Sequence, residues 1–159
     1  MSALTYNNWN NFITGASLQA FEAVILQSPL LTNLLNAFGG TVSLSNGEET
    51  YYSQASNTIF IGTDYASGSL AALAVALAHE LGHAEVDGGN PATLLSAPSV
   101  SAGIQVGLHA EGVAVATEFV VASQLRHNHG AIGGVRRQYG QFWKHRCRHQ
   151  QHHLRRQWH

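Results

Sequence analysis

Basic residues are missing from most of this chain. Every Lys and Arg lies at or after Arg126 and every Asp and Glu at or before Glu118. The first 125 residues therefore hold 9 acids and no base, and the last 34 hold 8 bases and no acid. A body without a cationic side chain has nothing to neutralise phosphates, which disfavours nucleic acid and anionic membrane as its partners. Cysteine is nearly absent as well: Cys147 stands alone, so no intrachain disulfide can form. No stretch reaches about 18 uninterrupted apolar residues, so no membrane-spanning helix is expected. The start, MSALTYNNWNN, has neither a positive n-region nor a long apolar h-region, so no signal peptide is visible. Charged residues are scarce at 11%, while hydrophobic residues reach 45%, the opposite of a disordered composition. A chain of 159 residues is long enough to bury one core without disulfides.

What is present falls into two segments, a body over 1–125 and a His-, Arg- and Gln-rich stretch over 126–159. In the body, residues 16–38 carry apolar side chains three and four apart and read as helical, with Pro29 splitting them into two helices and Gly39-Gly40 ending them. Short β-type runs follow: TVSL at 41–44, TYYSQ at 50–54 and TIFIG at 58–62, with Asn46-Gly47 as a turn signal between the first two. Ser67 or Ser69 can cap the next helix, which runs through LAALAVALAHELGHAEV and stops near Gly88-Gly89. It is apolar nearly all round, as expected of a central buried helix. After a loop with Pro91 and Pro98, a last apolar helix covers roughly 104–125. This order predicts an α+β fold: N-terminal helices, a small and mostly antiparallel sheet, a central helix, and a following helix. The stretch from Arg126 shows no apolar period and reads as a disordered, solvated tail or a non-native extension. Its His145, His149, His152 and His153 could bind metal or anions nonspecifically.

Chemistry concentrates in His79-Glu80-Leu81-Gly82-His83. On a helix, positions four apart lie one turn apart on the same face, so two imidazoles can reach one tetrahedral zinc at roughly 2.0–2.1 Å each. Glu80 follows the first ligand directly and can take the proton of a metal-bound water as that water attacks a carbonyl. Catalytic zinc takes three protein ligands and one water. Glu111, inside HAEGVAVATEF, is the expected third, because a carboxylate amid apolar neighbours is costly unless something such as a metal accounts for it. Glu118, seven residues on and facing the same way, could be the ligand instead, or could accept a hydrogen bond from a ligand imidazole. His109, Tyr65 and Tyr139 are candidates for stabilising an oxyanion. Asp87 could join only if the helix breaks early, since about 12 Å of rise separates it from His79.

This pattern resembles the zincin superfamily, and more specifically the gluzincin group, in which HExxH is followed by a Glu on a downstream helix. The resemblance covers about residues 57–125. It implies a zincin-like fold, Zn2+ as cofactor, and zinc-dependent endopeptidase activity on protein or peptide substrates. His79, His83 and Glu111 would be metal ligands and Glu80 the general base. It also implies that NTIFIG is the edge strand that pairs with extended substrate. The segments IFIGTDYASGSLAALAVALAHELGHA and AEGVAVATEF are similar to compact metallopeptidase domains of bacterial effectors and polymorphic toxins. The acidic body, rich in Asn, Ser, Thr, Gly and Ala, suits a secreted or delivered extracellular bacterial protein. Two departures stand out: AEVDGGN after His83 lacks the metzincin extension, and Val115 occupies the place where many gluzincins carry an Asp. The alternative is a non-catalytic zincin-fold binding or adhesion module of a larger secreted protein.

Overall fold

A computed structural model describes residues 3–10, 12–13, 15–66, 68–86 and 98–128. The described residues belong to one compact unit that ends at Asn128, so Arg126, His127 and Asn128 continue the last helix rather than opening a tail. The remainder of the 126–159 segment, with Tyr139 and the four tail histidines, lies outside the described residues, as does Asp87.

Two helices open the fold, α1 (Ala16–Ile25) and α2 (Pro29–Ala37). Phe21 and Ile25, one turn apart on α1, are fully buried, as are Leu31 and Leu35 on α2. Pro29 sits in the first turn of α2, where its missing N–H costs nothing. Ser28 caps that helix by accepting the N–H of Leu31 at 3.1 Å, and its own hydroxyl donates to Gln124 Oε1 at 2.6 Å. Near the N-terminus the buried Tyr6 hydroxyl donates to the carbonyls of Asn8 and Gly40, and burial pushes its pKa up to about 12, against the opposing pull of the Val42 backbone.

The sheet has four strands, β1 (Trp9–Asn10), β2 (Thr41–Leu44), β3 (Tyr51–Ser53) and β4 (Thr58–Ile61), in the order β1-β2-β4-β3. β1 runs parallel to β2, and β2 parallel to β4; only β3 and β4 are antiparallel. The expected mostly antiparallel sheet is therefore a mixed one, and the Asn46-Gly47 turn does not join a hairpin. The reason lies in burial. β4 carries the most apolar run of the three, with Ile59 and Ile61 fully buried, and it takes the interior position between β2 and β3. The more polar Tyr51–Ser53 is left to the edge. The edge strand is thus β3 and not the NTIFIG run.

A short 3-10 turn (Gln54–Ser56) links β3 to β4, and a four-residue α3 (Thr63–Ala66) follows β4. α4 (Leu70–Glu85) is capped by Ser69, whose hydroxyl accepts the Ala72 N–H at 3.2 Å. All residues from Leu73 to Gly82 are buried, and α4 packs on α1, α2, α3, β3, β4 and the last helix, which makes it the centre of the fold. That last helix, α5 (Val100–Asn128), is four residues longer at its start than the apolar period indicates. It buries one narrow seam, Ala110, Ala114, Glu118, Val121 and Leu125, at helical spacing. Although no uninterrupted apolar run is present, α5 is by length and composition long and apolar enough to cross a membrane. The fold is α+β, with five α-helices and one mixed sheet among the described residues.

Candidate metal centre

The site is built where α4 and α5 touch. Gly82 on α4 lies against the backbone of Ala114 on α5, so closely that a β-carbon on Gly82 would fall 2.6 Å from the Ala114 Cα. Side chains a turn either side of this contact then project into the same space. His79 stands three residues before Gly82 and His83 directly after it; Glu111 and Glu118 stand three before and four after Ala114.

The geometry is that of a donor cluster. His79 Nε2 and His83 Nε2 face each other at 3.1 Å. One carboxylate oxygen of Glu111 lies 3.7 Å from His79 Nε2, and the other 3.5 Å from His83 Nε2. These three residues form the one group of at least three His, Cys, Asp or Glu side chains among the described residues that could hold a metal ion. Burial is graded across it: His79 is 3% exposed, His83 18% and Glu111 39%, so the cluster opens to solvent on the α5 side. Glu111 is thus not the buried carboxylate that its apolar neighbours suggest.

Glu118 is the buried one, at 2% exposure, and it serves a different atom. His79 Nδ1 donates to Glu118 Oε2 at 3.0 Å. An imidazole whose Nδ1 carries the proton presents the lone pair of Nε2, here turned toward His83 and Glu111. Of the two acids considered for the third ligand, Glu111 is the one beside both Nε2 atoms, while Glu118 fixes the tautomer and ring orientation of His79. Glu118→Ala is accordingly expected to weaken metal binding about 10–100-fold, and Glu118→Gln, which keeps an accepting oxygen, by less. Competition with a chromogenic chelator reads both.

Glu80 is buried, and its Oε2 accepts the main-chain N–H of Tyr52 at 3.0 Å. That bond joins the residue after the first histidine to the edge strand β3. No local pattern announces it, since 28 residues separate the partners. His109 is exposed on α5, and positions two apart on a helix do not share a face, so it points away from Glu111. Tyr65 is half-buried on α3. No family model, curated protein or solved structure matches the chain.

Proposed function

We propose that this chain is a zinc-dependent endopeptidase of the zincin type. His79, His83 and Glu111 would hold the metal and Glu80 would act as general base. The observation that carries the reading is the donor triangle. Ligands about 2.0–2.1 Å from a tetrahedral zinc stand about 3.4 Å from one another; the two Nε2 atoms are 3.1 Å apart, and the ligand atoms, one from each of the three residues, all lie within 4.8 Å of one another. Three protein donors, two of them imidazole and one carboxylate, match a catalytic zinc site, which keeps its fourth position for water or substrate.

Zinc bound there would polarise a carbonyl oxygen and bring the pKa of a coordinated water to about 7. The chain's own groups supply the rest. Glu80 takes a proton from the attacking water and passes it to the leaving amine, its carboxylate held in orientation by the Tyr52 amide. Glu118 keeps His79 in the Nε2-ligating tautomer. The substrate would be a protein or peptide. The composition supports a secreted or delivered bacterial protein, and the resemblance to effector and polymorphic-toxin metallopeptidase domains extends the proposal to toxin-type effectors.

The test begins with the metal. Elemental analysis of the zinc-loaded full chain, after gel filtration to remove loose ions, is expected to show about one zinc more than His79→Ala or Glu111→Ala treated identically. The difference between proteins cancels any zinc scavenged by the histidines after Asn128. Cleavage of a peptide library by the loaded protein would follow. Equal zinc in all three proteins would sink the site. A metal-loaded protein that cleaves nothing would move the reading to a binding or adhesion module.

A further inference from the structure

α5 buries a seam and leaves a strip. Val100, Ile104, Leu108, Val115 and Phe119 are 78, 50, 68, 36 and 59% exposed. At helical spacing these five fall within about 100° of the circumference and run for about 28 Å along the axis. No Lys, Arg or Asp occurs in α5 before Arg126. Of its two carboxylates, Glu118 bonds His79 from the buried seam, and Glu111, which sits within the strip, lies beside His79 and His83. These side chains expose on the order of 500 Å2 of apolar surface, toward the upper end of what monomers leave open. Two such strips face to face would bury on the order of 1,000 Å2, the lower bound of specific interfaces.

We propose that the strip is a homodimer interface in which α5 packs antiparallel against α5 of a second copy. A two-fold interface must be self-complementary: if one residue meets another, the reverse contact also forms. The strip satisfies this condition. Val100 with Phe119, Ile104 with Val115, and Leu108 with Glu111 all share one midpoint, between residues 109 and 110. A two-fold axis there sets Val100 against Phe119 of the second copy, Ile104 against Val115, and Leu108 against the methylenes of Glu111. A lipid surface suits the strip less well. Its flanks carry no Lys or Arg to reach headgroups, and the adjacent side of the helix is committed to α4 through Ala114 and Glu118.

The register can be tested with charges, using the full chain by sedimentation equilibrium. Wild type is expected to reach twice its 17.1 kDa mass at micromolar concentration. Ile104→Lys and Val115→Glu, each folded by circular dichroism, should each raise the dimer dissociation constant at least tenfold. The double variant should recover at least tenfold over either single, because each new Lys meets a new Glu of the other copy. The two substitutions lie about 16 Å apart within one helix and cannot pair there. A wild type that stays monomeric at about 100 µM overturns the proposal, and flotation of that monomer with neutral phosphatidylcholine vesicles would give the strip to lipid. A dimer indifferent to both single changes, or a double variant no tighter than the singles, also overturns it.

Discussion

Glu80→Gln is expected to retain its zinc and to lose about 10²–10⁴-fold in kcat against a cleavable peptide, the usual share of a general base. The substitution is close to a pure removal of basicity. Gln is isosteric with Glu, fits the same buried position and still offers an oxygen to the Tyr52 amide, so packing and the link to β3 survive. What it cannot do is accept a proton from water at neutral pH. Because Glu80 is outside the donor triangle of His79, His83 and Glu111, metal content should stay at the wild-type level. Glu85→Gln, an exposed change on the same helix, is the control and should leave turnover unaltered. Zinc by elemental analysis and steady-state cleavage separate the two halves of the expectation. A Glu80→Gln protein cleaving at the wild-type rate would remove Glu80 from the chemistry, whatever the metal does.

Local chemistry was the legible part of this protein. Pro29 and Ser28 fix a helix boundary by rules that need only neighbouring residues, and the apolar run from Leu70 predicts a buried helix whose ten central residues are indeed buried. His79 and His83 share a face because positions four apart on any helix do. Contacts across long separations were not legible. β1 is two residues long and its pairing with β2 crosses two helices, so no periodicity marks it. The insertion of β4 between β2 and β3 follows from which strand best tolerates burial on both sides, a competition no single run displays. The choice between Glu111 and Glu118 was open in sequence because seven residues return a helix nearly to the same face. Their roles separate only through the crossing of α5 over α4, where one falls beside Nε2 and the other beside Nδ1 of a single imidazole.

Gly82→Ala should show how much depends on that crossing. The new β-carbon would sit 2.6 Å from the Ala114 Cα, 3.2 Å from its nitrogen and 3.1 Å from Thr117 Oγ1. Two of these neighbours are backbone, and no rotamer change relieves a clash with backbone, so α5 must move off α4. Helix propensity alone favours Ala over Gly by about 1 kcal/mol. Overpacking a tight contact costs about 1–3 kcal/mol, and the net effect expected in urea melts is destabilisation. The larger consequence is at the metal. In the proposed ligand set two residues ride on α4 and one on α5, so a shift of a few tenths of an ångström would open the Glu111 side of the cluster and lengthen the bond from His79 to Glu118 together. Zinc affinity should therefore fall by at least tenfold in a protein that remains folded. Gly112→Ala supplies the contrast on the partner helix. Its β-carbon meets nothing within 4 Å, so propensity acts alone and the chain should become more stable by about 0.5–1 kcal/mol with zinc affinity unchanged. Equal zinc affinity in the two variants would mean that Glu111 is not a ligand or that the helices approach less closely than the Gly82 contact requires.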